Sequence, residues 1–237
     1  MKHIKIWKNA ILILTTMSIM MACGGDSDDD NGGQVVPPPS NTKRLIKVTE
    51  SNSTYYYTYD NQGRVTKIQR NGQDFKTYSY DNNTIIETIN SIATWQNKYT
   101  LENGRISKEY DGDTKTTTSF VYQNGYLITE KEESGHDVQY NWNDGNLMTI
   151  LSGVLETFEY TNYACPQGFF HFGHNANICH SWGMSGYLGE TMRNLPSKHT
   201  EGNLFLTFNW TIKDGLPVKM ISTRENGITS TYTFEWE

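Results

Sequence analysis

The side chains of this sequence that could carry out chemistry are concentrated between residues 163 and 201. The segment contains two cysteines and three closely spaced histidines: Cys165, Cys179, His171, His174 and His180. Cysteine and histidine are the ligands that zinc prefers, but neither the His-x-x-His nor the Cys-His spacing matches an established zinc motif. We therefore predict no metal site and no cofactor, and consider what else this segment could do.

A disulfide between Cys165 and Cys179 is the favoured interpretation of the two cysteines. They lie 14 residues apart, and an N-terminal signal described below directs the chain out of the cytoplasm, where disulfides persist. Closing a loop of this size stabilises a protein by about 3 kcal/mol in the chain-entropy account. Two reduced, buried thiols are the second interpretation, and a metal site is the third.

Two kinds of function remain open for the same segment. As part of a noncatalytic module, it would place ligand-binding aromatics at Phe170, Trp182 and Tyr187, for a glycan, a peptide or a surface protein. As part of a cell-surface hydrolase, it would use His171 or His174 in a site beneath the segment. The sequence contains no G-x-S-x-G, H-E-x-x-H or phosphate-loop motif, so we favour the noncatalytic function.

Two further polar or aromatic clusters have simpler structural interpretations. Asp111 and Asp113 flank Gly112 in a pattern that suits calcium, but an acidic hairpin turn explains it fully. The three tyrosines at 55–57 could stack on a sugar, whereas alternation along a strand predicts that they divide between core and surface.

The N-terminus predicts secretion and lipid anchoring. Residues 1–22 combine three lysines with an apolar stretch that is short for a membrane span, as in a signal peptide. The signal ends in Met20-Met21-Ala22-Cys23, which resembles a bacterial lipobox, so we expect lipid on Cys23 and attachment to a membrane. An ordinary signal peptide followed by an incidental cysteine is the alternative.

Residues 23–42 are expected to form a disordered tether. The acidic run Asp26-Ser27-Asp28-Asp29-Asp30 resembles the signal that exports Bacteroidetes lipoproteins to the outer face of the outer membrane, although a solvated linker would look the same. Pro37 to Pro39 then form a stiffer spacer. The folded part is predicted to be a single domain over 43–237.

Charge and composition exclude one class of partner. Residues 1–22 hold three lysines and no acidic residue, so the formal net charge goes from −6 to −9 when they are removed. An acidic domain repels phosphate backbones, so no nucleic-acid partner is expected. Aromatic residues make up 13% of the chain, with tyrosine foremost, which favours β structure.

The elements that must position these residues are strands joined by a recurring turn. An aromatic residue is followed by a turn with two or three Asn, Asp or Gly residues at 59–63, 80–83, 122–125, 142–145 and 210–215, with Leu101 in the aromatic position of 101–104. A second series, with Asn71-Gly72, Asp111-Gly112 and Ser134-Gly135 among its members, interleaves with the first. Strands of about eight residues would run between the two series.

The predicted fold is therefore all-β: an antiparallel up-and-down meander rolled into a soluble, barrel-like sheet, with residues 163–201 as one irregular capping insertion. We expect a dozen strands before residue 162 and about three after the insertion. Alternation places an aromatic face inside. The opposite face carries polar residues that hydrocarbon would not accept: Lys67, Gln69, Lys108, Asp137, Gln139 and Asn141.

Two resemblances accompany this interpretation. The Tyr59-Asp60-x-x-Gly63-Arg64 turn resembles the YD repeat of large bacterial surface proteins. The lipobox, the Tyr-Asp hairpins, Gly186-Tyr187-Leu188-Gly189 with Asn194-Leu195-Pro196-Ser197, and the closing Tyr232 to Trp236 resemble a family of Bacteroidetes lipoproteins described as having a porin-like fold and no assigned function. That resemblance implies a fold and membrane anchoring, and it supplies no catalytic residues; the outer-membrane, cell-surface location is expected from the acidic run alone.

Overall fold

The computed structural model describes residues 43–90, 93–167, 169 and 184–237, all within one compact unit of the chain. The predicted signal peptide, Cys23 and the tether lie outside the described residues. Across the described ranges, no helix has the length and apolar character needed to cross a bilayer.

Sixteen antiparallel strands form one closed barrel in which each strand pairs with its neighbours in sequence and β1 pairs with β16. The strands are β1 Leu45–Glu50, β2 Ser53–Tyr59, β3 Val65–Arg70, β4 Gln73–Asp81, β5 Thr84–Asn90, β6 Thr94–Glu102, β7 Arg105–Tyr110, β8 Thr117–Gln123, β9 Tyr126–Glu132, β10 Asp137–Asn143, β11 Asn146–Leu151, β12 Leu155–Ala164, β13 Asn194–Glu201, β14 Leu204–Lys213, β15 Leu216–Arg224 and β16 Thr229–Trp236. The prediction of an all-β, up-and-down meander is confirmed. Four strands follow the insertion rather than three.

The irregular segment is shorter than predicted at both ends. β12 continues to Ala164 and β13 already begins at Asn194, so the segment between them is 165–193 rather than 163–201. Alternation is hidden in β13 because the pairing with β12 shifts register at Pro196. A β-bulge is one of the few places where a sheet accepts proline.

The two interleaved turn series mark the two ends of the barrel. The end that carries the turns β2–β3, β4–β5 and so on to β14–β15, together with segment 165–193, is called the cap end here, and the opposite end the far end. At the cap end, both central turn residues have positive φ at Asn103-Gly104, Asn124-Gly125, Asp144-Gly145 and Asp214-Gly215. This is the type I′ geometry that the Asn-Gly and Asp-Gly pairs predict.

A repeated β-bulge distinguishes the odd-numbered strands. In seven of the eight, a residue among the first four of the strand has no partner across the cap-end ladder, and β5 is the exception. The seven are Ile46, Thr66, Ser107, Ile128, Met148, Ser197 and Val218. The extra residue in a bulge shifts the alternation of inward-facing and outward-facing positions by one residue. Inward positions in these strands are therefore three residues apart, as with Val65 and Ile68, both buried.

The interior of the barrel is filled by side chains. Eight inward residues, one from each odd-numbered strand, have no solvent-accessible surface: Val48, Ile68, Ile85, Ile106, Leu127, Ile150, Leu195 and Met220. Water in a continuous central channel would leave such residues accessible. Buried tyrosines, phenylalanines and a tryptophan belong to the same packed cluster. The middle of the barrel is thus a core rather than a channel.

Candidate functional site

The described residues of segment 165–193 pack against the cap end of the barrel. Phe169 is buried, and its ring lies 5.2 Å from the ring of Phe234 and 5.1 Å from that of Trp236, centre to centre. Further along, the backbone amide of Glu190 donates to the carbonyl of Gly125 at 2.9 Å, and that of Arg193 donates to Gly145 at 2.8 Å. The predicted capping role of the insertion is confirmed for its described residues.

Tyr187 is the one predicted ligand-binding residue that the structure describes. Its ring lies 6.2 Å from that of Tyr80, and the side chain is half-buried. Burial raises the pKa of Tyr187 to about 12, while the nearby Arg64 guanidinium opposes the shift. Tyr187 therefore packs the cap onto the barrel wall at this point.

The remaining residues of the predicted sites stay predictions. Those outside the described part are Cys23, Phe170, His171, His174, Cys179, His180 and Trp182. Cys165 is half-buried at the end of β12, and its backbone amide donates to the carbonyl of Arg193 at 2.9 Å. The disulfide and the histidine site are therefore carried forward unchanged.

Aromatic side chains close the barrel wall at the cap end. In seven hairpins, a tyrosine hydroxyl or tryptophan Nε1 near the end of an even-numbered strand donates to a backbone carbonyl near the start of the preceding odd-numbered strand. The pairs are Tyr59–Leu45, Tyr80–Val65, Tyr122–Ile106, Trp142–Leu127, Tyr160–Leu147, Trp210–Pro196 and Trp236–Pro217. We call these seven donors the rim aromatics.

The rim aromatics occupy gaps in the hydrogen-bond ladder. β9 and β10, for example, pair only between residues 129–131 and 137–139, so the carbonyl of Leu127 has no ladder partner on β10 and accepts from Trp142 instead. The β5–β6 hairpin has Leu101 in the rim position, and there the ladder runs along the whole of β5. The hairpin without a donor side chain therefore satisfies its backbone by pairing.

One of these gaps forms a groove on the barrel wall between β9 and β10. Its volume is about 440 Å³, and its lining includes Tyr126, Trp142 and the turn at Asp144-Gly145. The rings of Tyr126 and Trp142 lie 4.8 Å apart at an angle of 38°. The hydrogen bond from Trp142 to Leu127 fixes the indole ring in this position.

Amide side chains make up most of the remaining groove lining. They are Gln123, Asn124, Asn141 and Asn143, all exposed. Among the described residues, none forms a hydrogen bond with any of these four side chains. Other asparagines have structural roles, since Asn146 bonds to Asn194 and Asn97 to Gly112.

A second polar cluster is buried inside the barrel toward the far end. Glu87 is only 2% exposed, and its carboxylate receives hydrogen bonds from Lys76 Nζ at 2.7 Å, Tyr78 at 2.8 Å and Tyr99 at 2.9 Å. Burial raises the pKa of Tyr78 and of Tyr99 well above the usual range, and the Glu87 carboxylate adds to it. Glu87 is thus a satisfied buried anion.

The same interior cluster continues around the wall. Burial raises the pKa of Glu109 to about 7, with the Glu87 carboxylate adding to the shift, and Asn97 donates to Glu109 at 3.2 Å. On β12 and β13, Glu156 lies 2.8 Å from His199, and both side chains are buried. Each group is paired with protein, which suits a structural role.

The two minor candidates from the sequence have structural roles. Asp111 Oδ1 accepts backbone hydrogen bonds from Asp113 at 2.7 Å and Thr114 at 3.1 Å, as an acidic turn requires. Tyr55 is 3% and Tyr56 43% exposed, which confirms the division between core and surface. Within the described residues, no three His, Cys, Asp or Glu side chains come close enough to hold a metal ion.

Sequence reasoning missed both the groove and the interior acidic cluster. The groove depends on amides that look like ordinary surface residues, and the sequence pattern marks Asn141 only as a polar, outward-facing position. The interior carboxylates were hidden by the bulges: Glu109 follows Ile106 by three residues, and Glu130 follows Leu127 in the same way. Such i, i+3 pairs in odd strands are the signal that would have found them.

Comparisons with known proteins support the fold. A porin-like protein from Bacteroides uniformis superposes with a TM-score of 0.59 at 19% identity, covering 81% of this chain and 95% of that one. A porin-like protein from Bacteroides vulgatus gives a TM-score of 0.61 at 10% identity, covering 83% and 99%. At these identities the likeness shows the barrel fold alone.

One curated protein is similar in sequence. The tRNA3(Ser)-specific nuclease WapA of Bacillus spizizenii is 27% identical over 124 residues, which is 49% of this chain and 5% of that protein. The nuclease activity in that name belongs to a much longer protein, of which this chain spans a small fraction. No protein-family model matches the chain.

Proposed function

We propose that this protein is a noncatalytic lipoprotein of the outer-membrane surface, anchored through lipid on Cys23, whose capped barrel serves as a binding module. The observation that carries the proposal is the filled interior: inward residues such as Ile68, Leu127 and Met220 are fully buried. A barrel with a packed core and a cover at one end cannot conduct solutes, so its outer surface is what remains for interaction.

The outer wall supports a position in water rather than in lipid. Lys108, Asp137, Gln139 and Asn141 are exposed on the strands. A lysine or arginine on the lipid face costs about 2–4 kcal/mol at the bilayer midplane. A barrel with this exterior needs a separate anchor, which the lipobox at Cys23 would supply.

The described polar groups support binding rather than catalysis. His199 and Glu156 form a histidine–carboxylate pair 2.8 Å apart, and both are buried in the barrel wall. A general base must reach a bound substrate. A hydrolase site at His171 or His174 would lie outside the described residues, and the sequence contains no G-x-S-x-G or H-E-x-x-H motif, so the binding role is preferred.

The anchor is tested in bacteria that express the full chain with a clickable fatty acid in the medium. Wild-type protein is expected to incorporate the label and to sediment with membranes. Cys23→Ala should lose both, whereas the neighbouring control Ser27→Ala should retain them. Unlabelled wild-type protein in the soluble fraction would contradict the proposal.

Surface display is tested by protease treatment of intact cells. The wild-type barrel should be released or cleaved while a periplasmic marker survives. Replacing Asp26, Asp28, Asp29 and Asp30 with asparagine should leave lipidation intact and make the protein protease-resistant. Equal protease sensitivity of this variant and the wild type would show that the acidic run is not needed for export to the cell surface.

A further inference from the structure

We infer that the groove between β9 and β10 at the cap end is a binding site for a neutral carbohydrate chain. The inference rests on the proposed role as a binding module and specifies its ligand. The groove of about 440 Å³ is large enough for one or two sugar rings and lies on the outer wall beside the cap. Three features of its lining point to a sugar.

The first feature is a fixed aromatic platform. Tyr126 and Trp142 are half-buried, and their rings lie 4.8 Å apart. The Trp142 indole is held by its hydrogen bond to Leu127, so it loses little freedom when a ligand binds. Aromatic faces combine apolar contact area with a polar edge. The C–H face of a pyranose ring matches such a surface.

The second feature is a set of unused amides. Gln123, Asn124, Asn141 and Asn143 surround the aromatic pair, and within the described part of the chain their side chains form no hydrogen bonds. Each amide offers both donors and an acceptor. Adjacent hydroxyls of a sugar present the same combination, so the two arrays are complementary.

The third feature is charge. Asp144 is the one ionisable carboxylate of the groove lining, and the lining contains no lysine or arginine. An anionic polymer would meet this like charge within the lining, which costs affinity, while the Arg193 side chain that packs beside Gly145 lies outside the lining. A neutral oligosaccharide meets no such repulsion, and the Asp144 carboxylate can accept from its hydroxyls.

The test measures binding of neutral oligosaccharides to the full-length lipidated protein in detergent by isothermal titration calorimetry. The probes are cellohexaose, xylohexaose and maltohexaose, with hexagalacturonate as an anionic comparison. The variant Asn141→Ala/Asn143→Ala removes two groove amides that no described contact uses. Its matched control, Asn203→Ala/Asn209→Ala, removes two exposed amides on β14 and the preceding turn.

At least one neutral probe should bind saturably to the wild type and to the control variant, and about tenfold more weakly to the groove variant, which corresponds to 1.4 kcal/mol. A wild type that binds none of the neutral probes, or prefers hexagalacturonate, overturns the inference, and so does binding that both double variants share equally. Lipidation and surface display are measured separately, so loss of the carbohydrate site leaves the proposed anchoring intact.

Discussion

Trp142 Nε1 donates a hydrogen bond of 2.7 Å to the carbonyl oxygen of Leu127, across a place where β9 and β10 do not pair. Six of the seven rim aromatics make the same contact at distances of 2.6–2.8 Å. The aromatic residue before each turn in the sequence repeat therefore has a backbone role. It satisfies a carbonyl that the bulged strands leave out of the ladder at the cap end.

Removing one rim hydroxyl should destabilise the barrel measurably. Tyr122→Phe keeps the ring but leaves the Ile106 carbonyl without its 2.8 Å donor. We expect a loss of about 1 kcal/mol in the free energy of unfolding, measured by denaturant titration. The control Tyr110→Phe removes a hydroxyl from a tyrosine that is 42% exposed and should change little. Equal losses in the two variants would contradict a backbone role for the rim.

The docking of the cap depends on a close approach at Gly189. This glycine has φ +88°, and a Cβ there would lie 2.5 Å from the carbonyl oxygen of Gly125. Gly189→Ala should therefore cost about 2 kcal/mol or more of stability and loosen the cap, seen as faster proteolysis of segment 165–193. Gly186→Ala, where a Cβ meets nothing within 4 Å, should be tolerated. If both variants behave alike, the cap does not depend on this contact.

The buried pair of Lys76 and Glu87 should show a strong asymmetry between single and double replacement. Lys76→Met leaves the Glu87 carboxylate without its 2.7 Å cation and is expected to cost about 3–5 kcal/mol. Lys76→Met/Glu87→Gln removes both charges and should recover much of that loss. Thermal unfolding of the three proteins gives the comparison. If the double variant is as unstable as Lys76→Met, the loss does not come from an uncompensated charge on Glu87, and the prediction is wrong.

Glu109 should make stability depend on pH. Its pKa is raised from 4.5 to about 7, chiefly by burial, so the folded state keeps its proton while the unfolded chain has lost it. The folded state then binds more protons between these values, and its stability falls as pH rises from about 4.5 to 7. The total is on the order of 3 kcal/mol for one group of this kind.

Glu109→Gln removes that dependence. The variant should gain stability relative to wild type as pH increases from about 4.5 to 7 and show a constant difference above pH 7. The conservative control Glu132→Gln, at the far end of β9, should show no such trend. Parallel stability curves for Glu109→Gln and wild type across this interval would place the titrating group elsewhere.

The sequence predicts the even-numbered strands well and the odd-numbered ones poorly. Strict alternation in β10 and β14 reflects unbroken period-two geometry, and Val138, Tyr140, Phe208 and Trp210 are all buried as expected. In seven odd strands the bulge advances the inward face by one residue, so no period-two pattern is visible. The turns at Asn103-Gly104, Asn124-Gly125, Asp144-Gly145 and Asp214-Gly215 are predictable because Asn-Gly and Asp-Gly pairs favour positive φ.

The candidate site was less predictable because its parts come from separate hairpins. Tyr126 follows one turn and Trp142 precedes the next, and only the open ladder between β9 and β10 brings them together. Likewise, the insertion is predicted to extend to residue 201 because 194–201 shows no alternation, which the bulge at Pro196 interrupts. Contacts that arise where strands are bulged or unpaired produce no recognisable pattern in the sequence.

The most direct test of the filled, capped barrel is a conductance measurement on the full-length lipidated protein in planar lipid bilayers. An established porin in the same bilayers provides the positive control. Because the inward faces of the strands are buried, as at Ile85 and Ile150 with 0% exposure, we predict no stepwise conductance above the bare membrane. Discrete, reproducible conductance steps would contradict the account, since they require a continuous water-filled path through the barrel.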